Sequence, residues 1–113
     1  MTDTRTHGST VDQTADTSTR DAYVNRIKAQ LDEARKQIDA FQERARGMKA
    51  EAAGSFRQQI ETLRREERYA QARLRELSDA SAEAWGSLRQ GLDEASESLR
   101  RAVTRAANDF RRA

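Results

Sequence analysis

Residues 23–77, YVNRIKAQLDEARKQIDAFQERARGMKAEAAGSFRQQIETLRREERYAQARLREL, decide the fold. Within them Tyr23, Ile27, Leu31, Ala34, Ile38, Phe41, Ala45, Met48, Ala52, Phe56, Ile60, Leu63, Ala70, Leu74 and Leu77 follow one another mostly at steps of three or four. At about 100° per residue these positions share one side of a helix, with Asp32, Lys36, Asp39, Glu43, Glu51, Arg57, Glu61, Arg68 and Arg75 opposite. A loop at Gly47 or Gly54 has no reason to preserve that phase. The spacing therefore predicts one continuous helix through both glycines, each costing about 1 kcal/mol. The four-residue steps at Met48, Ala52, Phe56 and Ile60 make a stutter, where a supercoil unwinds locally.

Outward from this stretch, residues 1–17 are rich in Thr, Asp and Ser and nearly free of apolar side chains, the pattern of a disordered tail. Ser18 followed by Asp21 resembles a capping box and predicts a helix over 18–77, roughly 60 residues or about 90 Å long. Ser78-Asp79-Ala80-Ser81 is the one cluster of side chains that compete with helical hydrogen bonding, and Ser81 suits an N-cap. A second amphipathic helix is expected over 82–112, ending in arginines that suit the negative end of the helix dipole; the alternative is one uninterrupted helix, since the apolar stripe continues in nearly the same phase through Ser81. In it Ala84-Trp85-Gly86-Ser87-Leu88 is echoed by Ala95-Ser96-Glu97-Ser98-Leu99 and again from Ala106 to Phe110. Eleven residues make three turns, so Leu77, Leu88, Leu99 and Phe110 form a ladder on one face.

Composition narrows the function classes. Of the 113 residues 35% are hydrophobic and 35% charged, too polar for a large globular core but usual for long helices. The absence of cysteine excludes disulfides, thiolate nucleophiles and Cys-based metal sites. His7, the one histidine, lies in the expected tail, and no phosphate-binding loop or metal-ligand spacing is present. The expectation is a protein that is not an enzyme and has no cofactor and no small-molecule substrate. With 21 basic residues interleaved among 19 acidic ones, no one-signed stripe suits nucleic acid. No apolar run approaches the roughly 18 residues that a membrane span needs, and a cytoplasmic location is expected.

A lone helix with a single apolar stripe is not stable, because most helical stability comes from packing that stripe against something. The favoured arrangement is an all-α helical hairpin or coiled coil: the shorter C-terminal helix folds back on the second half of the long one. Tyr23 to Ala52 are then left to pair in a homo-oligomer or with a helical protein partner. The interaction residues expected are Ile38, Phe41, Phe56, Ile60, Leu63, Leu74, Leu77, Trp85, Leu88, Leu92, Leu99 and Phe110. The alternative is an amphipathic helix on a membrane or granule surface, with Trp85 and Phe110 as anchors; a third reading is a stress-protectant helix that folds on binding or drying. Glu67, on the stripe between Leu63 and Ala70, either sets helix register against an arginine or sits at the stripe's edge.

At Tyr23-Val24-Asn25-Arg26-Ile27-Lys28-Ala29-Gln30-Leu31-Asp32-Glu33 and Ala84-Trp85-Gly86-Ser87-Leu88-Arg89-Gln90-Gly91 the chain resembles a family of small bacterial coiled-coil proteins associated with stress response. The resemblance runs over about residues 20–112. It implies a cytoplasmic helical protein without catalytic residues or cofactor. In that family a Trp often follows the Gln-Leu-Asp-Glu run and another recurs in the second 11-residue unit, where this chain has Ala34 and Ser96.

Overall fold

The computed structural model describes the backbone of residues 2–112 and the side chains from Thr19 to Arg112. The disordered tail expected over residues 1–17, with His7, lies outside the described side chains. Among the described residues the regular elements are all helices, with no strand: α1 (Thr2–Arg46), α2 (Ala50–Ser78) and α3 (Ala82–Arg112). The bounds of α1 run through Ser18, where the sequence predicts a start.

The single long helix over 18–77 is corrected to a hairpin. Its helical hydrogen bonds tighten at the end of α1, where the Gly47 and Met48 amides donate to Arg44 and Ala45 at 3.1 and 3.2 Å. Lys49 is then extended, at φ −63° and ψ 147°, and its carbonyl accepts from Ala53 at 2.8 Å to open α2. Three residues thus reverse the chain. The apolar pattern survives the reversal because Ala45 and Met48 before it, and Ala53, Phe56 and Ile60 after it, all turn inward. Ala52, which the unbroken stripe would bury, is exposed and Ala53 is buried instead. The stutter at Met48 to Ile60 is where two helices meet, and no supercoil crosses it.

The second reversal falls at Asp79–Ser81. The Asp79 and Ala80 amides donate to Arg75 and Leu77, and Ser81 Oγ accepts the Ala84 amide at 3.3 Å, capping α3. Two short connections make the order up, down, up. Arg35–Glu67 and Arg64–Asp39 tie α1 to an antiparallel α2, while contacts such as Tyr23–Asp93 and Arg44–Phe110 run at similar offsets of 70 and 66 residues between a parallel α1 and α3.

The fold is therefore a three-helix bundle, and not a long helix with a shorter one against its second half. The physical reason is burial. Folding back at Gly47 lets α2 and α3 cover Tyr23, Ile27, Leu31, Ile38, Phe41 and Ala45 within one chain, the stretch that a two-helix hairpin would leave for a partner. Each of these is at most 6% exposed, and burying a side chain such as Leu or Ile contributes about 1.5–3 kcal/mol.

Candidate interaction surface

All twelve residues expected to carry interactions meet inside this one bundle. Ile38, Phe41, Ile60, Leu63, Leu74, Leu77, Leu92, Leu99 and Phe110 are buried in the core, and Phe56, Trp85 and Leu88 are packed partly buried against it. Val103 and Ala106 join them; both extend the repeat of α3, and that periodicity is the signal that would have included them.

At one end Tyr23 and Trp85 pack edge to face with centroids 6.0 Å apart, and Arg20 lies 4.9 Å over the indole. Arg26 and Arg89 flank the Tyr23 ring at 5.2 Å each. The Tyr23 hydroxyl donates to the Asp93 carboxylate. Burial, then this bond and the charge of Asp93, push the phenol well above its ordinary range, against the opposing pull of Arg89 and Arg26. At the other end Phe110 is sandwiched between Phe56 at 4.0 Å and Phe41 at 5.0 Å. Arg44 lies over the same ring and donates to the Phe110 carbonyl at 3.1 Å.

In the middle, Glu67 is buried at 5% exposure and accepts from Arg35 Nε at 3.1 Å. The pair fixes the register of α1 against α2, the first of the two roles open to Glu67. Its second oxygen, Oε2, is buried with no hydrogen-bond partner among the described residues. Bonding to Glu67 raises the Arg35 guanidinium pKa further, so Arg35 keeps its charge at any physiological pH.

The outer faces are polar. Tyr69, 55% exposed and stacked under Arg73, is the exception among large hydrophobic side chains. Between α1 and α3 runs a groove of about 420 Å³, floored by the buried Leu31, Leu99 and Val103 and flanked by Ala29, Ala34 and Ser96. Ser96 Oγ is buried there without a hydrogen-bond partner among the described residues. Ala34 and Ser96 are the two places where the resemblance leads one to expect tryptophan. Arg26 and Arg100 border the groove.

The described residues hold no group of three or more His, Cys, Asp or Glu side chains that converge as metal ligands. Among them no helix is long and apolar enough to cross a membrane. Compared with protein-family models, with curated proteins and with solved structures, the chain matches none.

Proposed function

We propose that this chain is a non-enzymatic interaction protein, a three-helix bundle that offers its open α1–α3 seam to a helix of a second copy or of another protein. The observation that carries this reading is the groove itself. The short side chains of Ala29, Ala34 and Ser96 leave a groove above the buried Leu31, Leu99 and Val103, and a groove between two helices is where a further amphipathic helix lays its apolar face. Ser96 Oγ, without a partner in that seam, marks the same place as unfinished. A cytoplasmic setting in stress response is proposed on the resemblance alone.

The lipid-surface alternative is less well supported. It relies on Trp85 and Phe110 as anchors, yet Phe110 is 2% exposed and Trp85 packs against Tyr23 and under Arg20. Lipid binding would require the bundle to open first.

The test is sedimentation equilibrium of the full chain over a wide concentration range, with Ser96→Leu beside it. Leucine at 96 fills the groove and removes the unpartnered hydroxyl. Self-association that weakens in S96L, with the bundle itself at least as stable, supports the reading for a second copy. A strictly monomeric wild-type chain leaves only a foreign helix as occupant, and association unaffected by S96L takes the seam out of the proposal.

A further inference from the structure

We infer that a second copy of this chain docks antiparallel on the α1–α3 seam itself, with Arg26 of each copy meeting Glu33 of the other. This inference rests on the self-association reading and specifies its register and its sense.

The seam has two banks. On α1, Arg26, Gln30, Glu33 and Gln37 recur at steps of four, three and four, which keeps them within about 60° of one another around the helix. All four line the groove and all are exposed. On α3, Asp93, Ser96 and Arg100 line the same seam from the other side. The charges alternate between the banks: α1 carries Arg26 and, seven residues on, Glu33, while α3 carries Asp93 and, seven residues on, Arg100. Seven residues are about 10 Å of helix. The Tyr23–Asp93 and Arg44–Phe110 contacts, spanning 70 and 66 residues, set these two segments side by side. At such offsets the midpoint of Arg26 and Glu33, between Ala29 and Gln30, lies level with the midpoint of Asp93 and Arg100, between Ser96 and Glu97.

A seam with this pattern is complementary to its own copy when reversed. With a two-fold axis crossing the seam at that level, α1 lies on the partner's α1 and α3 on the partner's α3. Arg26 then meets the partner's Glu33 and Asp93 meets the partner's Arg100, each pair occurring twice, so the contact is isologous and closes as a dimer. Glu97 comes near the axis, where Arg100 and Arg101 of its own helix already neutralise it. The parallel alternative lays α1 on the partner's α3 and sets Arg26 against Asp93 and Glu33 against Arg100. Which charges are free decides between the two. Neither Arg26 nor Glu33 has an ion-pair partner within 4.0 Å among the described residues. Asp93 is held by the Tyr23 hydroxyl and Arg89, and Arg100 by Glu97. Only the antiparallel contact joins the two free charges to each other. Exposed ion pairs alone bind weakly, but the accessible lining of this groove is mostly apolar. Ala29 and Ser96, whose Oγ has no partner, stand at the centre of the contact. Docking on the seam therefore covers apolar surface, and the charges decide its direction.

Symmetry makes the test sharp, since each single charge reversal turns two attractive pairs into two repulsive ones. Sedimentation equilibrium of the full chain would compare wild type, Arg26→Glu, Glu33→Arg and the swapped double variant R26E/E33R, with circular dichroism to verify equal helicity. Each single reversal is expected to raise the dimer dissociation constant by about tenfold or more, and the double swap to restore it to within about threefold of wild type, as coupled partners do. Glu33→Gln, which keeps the side-chain shape, should weaken the dimer by about threefold. Dimers weakened by Ser96→Leu but indifferent to these variants would leave the seam reading standing and overturn this register. Single reversals whose effects accumulate in the double swap would place α1 on the partner's α3 and overturn the antiparallel sense. A wild-type chain that stays monomeric would remove self-association and this contact with it.

Discussion

Replacing Phe110 by alanine is the most direct way to ask whether the core lies within one chain. The ring is 2% exposed, stacked on Phe56 at 4.0 Å and Phe41 at 5.0 Å, with Arg44 over it. Truncating a buried phenylalanine costs about 3–5 kcal/mol in lost transfer energy and residual cavity. Phe110 lies in the last turn of α3, which ends at Arg112, so the site can partly collapse as that turn frays. The lower end, about 3 kcal/mol, is therefore expected. For a domain near 100 residues a loss of this size removes a fifth or more of a typical 5–15 kcal/mol stability and lowers Tm by roughly 12–24 °C. Phe110→Leu keeps most of the volume and should cost less than about 1.5 kcal/mol. The assay is urea unfolding followed by circular dichroism at two protein concentrations about tenfold apart. Because Phe41, Phe56 and Phe110 belong to one chain, the stability difference should not change with concentration, whereas a core assembled between chains would make it do so. A cost below about 1 kcal/mol, or one that depends on concentration, would refute the three-helix packing.

Three further perturbations separate the forces in the bundle. Arg35→Met strands the buried Glu67 carboxylate and should cost about 2–3 kcal/mol in urea melts, while Glu67→Met, which frees an arginine already half exposed, should be near neutral or stabilising; equal costs for the two would contradict the burial of Glu67. Gly54 and Gly91 have helical neighbours, no positive φ and open space where a Cβ would sit, so G54A/G91A should add about 2 kcal/mol; a loss of stability would mean that these helices are not formed as described. The Tyr23 phenol is raised above its unfolded value near 10, so the folded state holds this proton more tightly than the unfolded one. Its contribution is complete below about pH 10 and falls as pH rises beyond that. Tyr23→Phe should flatten the alkaline loss of stability between about pH 10 and pH 12, and an unchanged slope would place the loss elsewhere.

The apolar stripe was legible because it is a periodicity, and the helices follow from it. The reversal at Gly47–Lys49 was not, because phase is a weak witness to continuity: a three-residue turn can hand one inward face to the next, as Ala45 and Met48 do to Ala53 and Phe56. Its traces in the sequence are the glycine and the stutter, and either is compatible with an unbroken helix. The break at Ser78–Ser81 was easier to suspect, since there side chains compete with the backbone and Ser81 can cap the next helix. Burial within one chain follows from the reversal, which is why the periodicity alone suggested a partner for Tyr23 to Ala52. Glu67 was readable as one of two things, and only the position of Arg35 on the facing helix decides between them. The α1–α3 groove left no sequence signal of its own, because it depends on which faces of two helices more than 60 residues apart come to lie side by side.

That groove has a mechanical origin. Short connections tie α2 to both neighbours, but α1 and α3 are held to each other by side chains. These act at the two ends: Tyr23 with Trp85 and Asp93 at one, Phe41 and Arg44 with Phe110 at the other. Aromatic rings pack between the two helices at both ends, with centroids 6.0 and 5.0 Å apart. Between them the groove is lined in part by Ala29, Ala34 and Ser96, whose side chains are too short to fill it. Polar ties join α1 to α2 in the middle of the bundle, at Arg35–Glu67 and Arg64–Asp39, and among the described residues none joins α1 to α3 there. The seam is thus tied at its ends and packed below by Leu31, Leu99 and Val103, and large side chains at 34 and 96 would fill the groove above them. The small residues found there keep the groove open, and the interaction reading depends on these two positions.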